Sequence, residues 1–312
     1  MPPILLFIIG LIILTAGAEL LVRGAGALAL RLGLTPLVIG LTVVAFGTSA
    51  PELVVSLQAA QRGSAAIAVG NVIGSNLCNL TLIMGLCAIL RPLTASHAVI
   101  RREVPLLIGA TLLVALFLWN DHLSSIEAAV LFLSLIGYTW LTLRNARQDP
   151  DQSPLSHEEA PAALNLPLAC VLTLAGLGML LYGSDLFVDG AVTLAREWGC
   201  SETIIGLTIV AVGTSLPELA ISIVAVSKGE HDVAIGNLMG SSLFNLLGIL
   251  GAAGLASGGT FAHLNPIDLF VLLGITVAIF PLVKTGGRVN RWEGAALVIA
   301  YLAYTVHLVT RA

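Results

Sequence analysis

The segment Gly40-Leu-Thr-Val-Val-Ala-Phe-Gly-Thr-Ser-Ala-Pro-Glu-Leu53 returns 166 residues later as Gly206-Leu-Thr-Ile-Val-Ala-Val-Gly-Thr-Ser-Leu-Pro-Glu-Leu219. Each copy places a carboxylate, Glu52 or Glu218, inside an apolar run long enough to cross a bilayer. An ionisable group in a spanning helix costs roughly 2.5–3.5 kcal/mol on insertion scales, so its presence points to function rather than packing. Two of them at matched positions restrict the chain to a duplicated membrane protein with acid at its centre.

Composition agrees. The chain is 57% hydrophobic and 10% charged, whereas soluble domains are about 25% charged. The net charge of −4 is small and no basic cluster points to nucleic acid, so a nucleic-acid partner is not expected. Cys78, Cys87, Cys170 and Cys200 show no CxxC or paired metal spacing and read as buried thiols. Residues 4–16 are apolar and are followed by Ala16-Gly17-Ala18, yet no Lys or Arg precedes them as a signal peptide requires. Moreover, Gly17-Ala-Glu-Leu-Leu-Val-Arg-Gly-Ala25 matches Gly183-Ser-Asp-Leu-Phe-Val-Asp-Gly-Ala191 at the same 166-residue offset. The first apolar segment is therefore read as part of the fold.

About 20 apolar residues cross the hydrocarbon region as a helix. That rule predicts ten spans, at 3–22, 36–60, 66–90, 103–119, 124–143, 166–187, 202–226, 232–256, 266–283 and 292–309. The chain divides into a first five-span repeat (1–143), a polar linker (144–165) and a second five-span repeat (166–312). Between 40–60 and 206–226, 13 of 21 positions are identical; between 70–85 and 236–251, 9 of 16 are. An odd number of spans per half makes the second half enter the membrane from the opposite side, so the halves are inverted repeats. Loops 1–2, 3–4, 5–6, 7–8 and 9–10 carry eleven Lys and Arg residues and the other face carries three, Arg62, Arg196 and Arg311. This places both termini outside and the linker in the cytoplasm. The change from Arg23 to Asp189 in the repeat is what opposite insertion of similar halves requires.

Spans 2 and 7 share Gly-Thr-Ser-X-Pro-Glu. Proline in a helix lacks an N–H and clashes with the carbonyl four residues back, which predicts freed oxygens near Gly47 and Gly213. Irregular backbone at membrane depth survives only where it is buried or lines a wet cavity. Thr48 and Glu52 are four apart, as are Thr214 and Glu218, so each pair shares a face if the helix resumes. Spans 3 and 8 share Gly-Asn-X-X-Gly-Ser-X-X-X-Asn, with Ser75 and Asn79, and Ser241 and Asn245, at i, i+4. Gly74 and Gly240 permit close helix approach. Together the motifs offer carboxylates, amides, hydroxyls and backbone carbonyls, an all-oxygen set for a hard cation; Ca²⁺ takes about six to eight oxygens. No His or Cys recurs in both halves, which argues against zinc or copper.

With these two motifs in this order, 40–85 and 206–251 resemble the α1 and α2 repeats of sodium/calcium exchangers of the prokaryotic type, within the Ca²⁺/cation antiporter superfamily. The resemblance implies an all-α membrane protein of ten transmembrane helices, with broken helices 2, 3, 7 and 8 around a central ion site. It implies that Glu52, Thr48, Ser49, Ser75 and Asn79 line that site from the first half. Glu218, Thr214, Ser215, Ser241 and Asn245 would do so from the second, with the carbonyls of Ala45 and Ala211 aligning with family backbone ligands. Spans 1 and 6 would be the long sliding pair. Two departures stand out. The second repeat reads Gly-Ser-Ser at Ser242 where Gly-Ser-Asn is usual, and Asn79 and Asn245 are amides where potassium-dependent relatives carry an acid.

The implied function is exchange of Na⁺ for Ca²⁺ across the inner membrane by alternating access, with the ions as cargo, the bilayer as partner and no cofactor. Two ionised glutamates give the empty site a charge near −2; loading neutralises it, so access changes only when loaded. Protonation competes with the ions, so transport is expected to fall in acid. A proton-coupled cation antiporter using the same glutamates is the alternative. An organic-solute symporter lacks aromatic or basic groups to hold its substrate. A serine hydrolase lacks a base, since His97, His122, His157, His231 and His263 fall at loops or span edges and His307 stands alone. A scaffold leaves the duplicated acids without purpose.

Overall fold

The apolar runs become helices because, in lipid, every backbone N–H and C=O must be satisfied within the segment. A computed structural model of the chain describes residues 2–61, 65–120, 122–145, 164–198, 211–257 and 266–311. In order these form α1 (Pro3–Leu32), α2 (Pro36–Thr48), α3 (Ala50–Gln61), α4 (Ile67–Leu90), α5 (Val99–Asn120) and α6 (Ser125–Asn145). The second half forms α7 (Leu166–Glu197), α8 (Ala211–Thr214), α9 (Leu216–Lys228), α10 (His231–Ser257), α11 (Pro266–Lys284) and α12 (Arg291–Arg311). Among the described residues, eight helices are long and apolar enough to span, and the bent pair α2–α3 makes a ninth. The expected span 202–226 is represented by α8 and α9; residues 202–210 lie outside the described residues.

Two helices are longer than hydropathy predicts. α1 runs ten residues past the expected end at 22, and α7 runs to Glu197 rather than 187. Arg23 and Asp189 end the apolar stretch without breaking the hydrogen-bond ladder; α1 stops only where Gly33 turns left-handed (φ +64°) ahead of Thr35-Pro36. These two helices pack against each other along their length through glycines seven residues apart. A Cβ at Gly10 would lie 2.4 Å from the backbone N of Phe187, and one at Gly24 would lie 2.6 Å from that of Thr173. Across the seam, a Cβ at Gly176 would lie 2.6 Å from the backbone N of Leu21 and one at Gly183 2.7 Å from that of Leu14. Backbone thus meets backbone at these glycines, a membrane packing mode that needs small residues, while side chains such as Phe7 and Phe187, with ring centroids 4.4 Å apart, fill the seam between them.

The centre is built from α4 and α10. The whole apolar window of α10 and 78% of that of α4 are buried, against 11% for α12. α10 crosses α2 closely: a Cβ at Gly240 would lie 2.7 Å from the Leu41 carbonyl oxygen, and one at Gly40 2.8 Å from that of Val233. Gly240 therefore permits the expected approach. At Gly74 no described atom lies within 4 Å of the Cβ position, and the partner that the repeat would supply, Leu207, lies outside the described residues.

The basic loops gather on one face. Arg31 Nε donates to the Leu164 carbonyl at 3.0 Å, and Lys228 Nζ meets Glu19 Oε1 of α1 at 2.5 Å. β1 (Leu93–Thr94), between α4 and α5, pairs antiparallel with β2 (Arg288–Val289), between α11 and α12.

Candidate functional site

Both glutamates sit just after a break. α2 ends at Thr48, Ser49 takes φ −82° and ψ 12°, and α3 departs at 48°. Ser215 repeats this with φ −91° and ψ 10° between α8 and α9. Pro51 and Pro217 fall in the first turn of α3 and α9, where a missing N–H does no harm. The carbonyl that Pro217 would orphan, Gly213, accepts a hydrogen bond from Ser184 Oγ of α7 at 2.9 Å. Glu52 and Glu218 lie in the same first turns, where unpaired N–H groups and the helix dipole favour negative charge.

The halves exchange hydroxyls. Ser49 Oγ donates to Glu218 Oε1 at 2.8 Å, and Ser215 Oγ donates to Glu52 Oε1 at 3.0 Å. Glu52 and Glu218 are 1% and 0% exposed. Each glutamate's backbone is fixed from behind. Asn71 Nδ2 donates to the Glu52 carbonyl (3.2 Å) and to Ser56 Oγ (3.0 Å), and Asn237 Nδ2 to the Glu218 carbonyl (3.4 Å) and Ser222 Oγ (3.1 Å). Asn71 and Asn237 are absent from the expected ligand set. Their recurrence in both Gly-Asn-X-X-Gly-Ser motifs was the available signal, but the motif does not say what they hold. Thr48 Oγ1 donates to Asn237 Oδ1 at 3.1 Å, which ties the two halves once more.

The remaining expected residues lie on α2, α4, α8 and α10. Asn79 and Asn245 are buried in π-helical stretches, Cys78–Ile83 and Phe244–Ile249. The interruption expected in helices 3 and 8 thus takes the form of a widened turn within a continuous helix, a feature common at functional sites. Ser75 is buried on α4, four residues before Asn79. Ser241 Oγ lies 3.4 Å from Thr48 Oγ1 and 3.5 Å from the Ala45 carbonyl oxygen, which also accepts the Ser49 N–H at 3.1 Å. Thr214 is half-buried, and Ala211 opens α8.

Glu52 Oε2, Glu218 Oε2, Ser75 Oγ and both amide atoms of Asn79 and of Asn245 are buried with no protein partner. Buried polar atoms without partners are costly, and carboxylates most of all. Hard cations satisfy such oxygens. Among the described residues no three His, Cys, Asp or Glu side chains gather as a transition-metal cluster, so a bound cation here would draw on two carboxylates and neutral oxygens. Cys78 and Cys87 are buried free thiols, as expected, whereas Cys170 is only half-buried; Cys200 lies outside the described residues.

The two faces differ. On one, a cavity of about 510 Å³ lined by Asp185, Asp189, Ser184, Thr214, Ala50 and Pro51 among others reaches the breaks. On the other, Glu19 holds both Lys228 and Arg23, the latter at 2.6 Å.

The family profile described as sodium/calcium exchanger protein matches residues 2–144 and 168–310. The chain belongs to the sodium/calcium exchanger family. Within this family of antiporters, the CaxA protein of Alkalimonas amylolytica is 40% identical over 267 residues, covering 83% of this chain and 84% of that protein. Sodium/calcium exchanger MaX1 of Methanosarcina acetivorans is 30% identical over 351 residues and 97% of each chain. A solved structure of the sodium-calcium exchanger NCX_Mj, soaked with zero Na⁺ and Ca²⁺, superposes with a TM-score of 0.86 at 29% identity, over 99% of this chain and 100% of that one. The family shares this all-helical, multi-pass membrane fold.

Proposed function

We propose that this protein is a secondary antiporter that exchanges Na⁺ for Ca²⁺ across the membrane. The observation that carries the reading is the exchanged pair: two fully buried glutamates, each held by a serine of the opposite half, and each with one oxygen left for an ion. Glu52, Glu218, Ser75, Asn79 and Asn245 are the principal ligands; Thr48, Thr214, Ser49, Ser215, Ser241 and the carbonyls of Ala45 and Ala211 complete the set. One Ca²⁺ neutralises the two carboxylates, and so do two Na⁺. A third Na⁺ would make the loaded carrier positive and transport voltage-sensitive. The empty site carries about −2 and resists crossing an apolar barrier, which forbids leak and enforces exchange.

Alternating access follows from the two inverted halves, 1–143 and 166–312, joined by the 144–165 linker. The glycine seam between α1 and α7 supports sliding, because backbone surfaces that meet at glycines leave few bulky side chains to unpack. The loops brought together on one face carry most of the Lys and Arg, which supports a cytoplasmic linker, both termini outside and residence in the inner membrane. The protein moves ions and makes or breaks no covalent bond.

The test is Ca²⁺ uptake by proteoliposomes loaded with Na⁺ and diluted into Na⁺-free or Na⁺-matched buffer. Uptake only with an outward Na⁺ gradient supports the proposal. Uptake driven by a pH gradient and indifferent to Na⁺ overturns it in favour of proton coupling.

A further inference from the structure

α5 and α6 leave a lipid-facing groove of about 770 Å³ between them, backed by Leu243 and Leu247 of α10. One end is polar, with Arg101 and Arg102 near the start of α5 and Asn145 at the end of α6. Apart from Tyr138, the remainder is apolar or small. Gly109 and Gly137 stand on opposite walls, and a Cβ on either would meet no described atom within 4 Å. They contrast with the seam glycines of α1 and α7, such as Gly10 and Gly183, whose missing side chains let backbones touch. Here the missing side chains hold a groove open.

The two arginines differ. Arg102 Nε pairs at 2.7 Å with Glu103, which is fully buried and also accepts the Tyr138 hydroxyl at 2.8 Å. Arg101 is exposed and forms no ion pair among the described residues. The repeat does not impose this arrangement. At the 166-residue offset, Arg101, Arg102, Gly109 and Gly137 become Ile267, Asp268, Ile275 and Ala303. The second half keeps a tyrosine–carboxylate contact, with the Tyr304 hydroxyl donating to Asp268 Oδ1 at 3.1 Å, but has neither the cations nor the gaps.

From Arg101 to Leu113 the groove follows α5 for about 18 Å at ~1.5 Å per residue, a little over half of the ~30 Å hydrocarbon thickness. That is the reach of one leaflet, with the arginines at headgroup level. We propose that the groove binds an anionic diacyl phospholipid, its phosphate against Arg101 and the outer edge of Arg102 and one acyl chain between Gly109 and Gly137. Basic pockets between membrane helices at the cytoplasmic edge suit such headgroups. The seated chain packs on Leu243 and Leu247, which flank Asn245 in α10, so occupancy bears on the helix that carries a central amide.

Native mass spectrometry of the full-length protein with phosphatidylglycerol or phosphatidylethanolamine of equal chain length tests this. Phosphatidylglycerol should be retained preferentially. Arg101→Gln should lower its retention about fivefold, the size expected of one arginine at a membrane surface, and leave phosphatidylethanolamine unchanged. Gly137→Leu should fill the groove and lower retention at least as much, while Gly178→Leu, an α7 site with open space before it, should not. Equal retention of the two lipids overturns the proposal, as does retention indifferent to both Arg101→Gln and Gly137→Leu. An equal loss in Gly178→Leu also overturns it, and so does a dimer that Gly137→Leu dissociates.

Discussion

Glu19 and Asp185 occupy the same position in the two repeats, yet their surroundings are opposite. Glu19 binds Lys228 and Arg23 and joins α1 to the end of α9. Asp185 opens onto a 510 Å³ cavity beside Asp189 and Thr214. At the centre the halves are nearly interchangeable: serine to opposite glutamate, asparagine to glutamate carbonyl, amide in a π stretch. Symmetry therefore holds at the paired glutamates and breaks toward the helix ends. One sequence pattern inserted twice in opposite senses needs only a difference at its ends to present a cavity on one face and ion pairs on the other.

The central symmetry is broken most severely by Glu52→Gln or Glu218→Gln. Each should abolish Na⁺-dependent Ca²⁺ uptake, by about a hundredfold or more, since each removes a charge that the cargo balances. A large difference between the two variants would mean that the halves do not share the ion equally. Transport in Ser49→Ala and Ser215→Ala should fall by similar factors, roughly ten- to a hundredfold each, from the loss of a charge-assisted hydrogen bond of about 1.5–3 kcal/mol.

The glycine seam comes next. Gly183→Val forces a branched side chain to within 2.7 Å of the Leu14 backbone N, so flux should drop at least tenfold with assembly into the membrane retained. Gly26→Ala, on α1 but away from the seam with nothing within 4 Å, should leave flux unchanged. Uptake assays of the pair separate a sliding seam from general glycine sensitivity.

The end differences carry smaller effects. Lys228→Gln removes a partly exposed ion pair worth ~0–1 kcal/mol, and should shift the inward–outward balance up to about fivefold. Cysteine-accessibility labelling near Asp185 would read that shift; no change would make the cluster incidental to access. Smallest is Asp189→Asn, which should slow Ca²⁺ association about two- to threefold at low ionic strength and less at 0.15 M salt, where exposed charges are screened. Rapid-mixing kinetics across salt concentrations would show it.

Hydropathy located nearly every spanning helix, because apolar runs of the right length have one fate in a bilayer. It stopped α1 and α7 about ten residues early, because it marks where lipid contact ends rather than where the hydrogen-bond ladder ends. The π stretches at Asn79 and Asn245 escaped it, since one extra residue in a turn leaves the mean hydropathy of the run unchanged. The groove between α5 and α6 escaped as well: Gly109 and Gly137 are 28 residues apart and look like ordinary membrane glycines until their helices are set side by side.

The sequence alone determined the duplication, the inverted insertion and an acid at matched depth in each half, because these are properties of local chemistry and period. Ser49 and Glu218, or Ser215 and Glu52, are 169 and 163 residues apart, and no local rule pairs them. Tertiary structure alone decided those pairings, the ion pairs at Glu19 and the cavity at Asp185, because they depend on how helices from opposite halves are placed against one another.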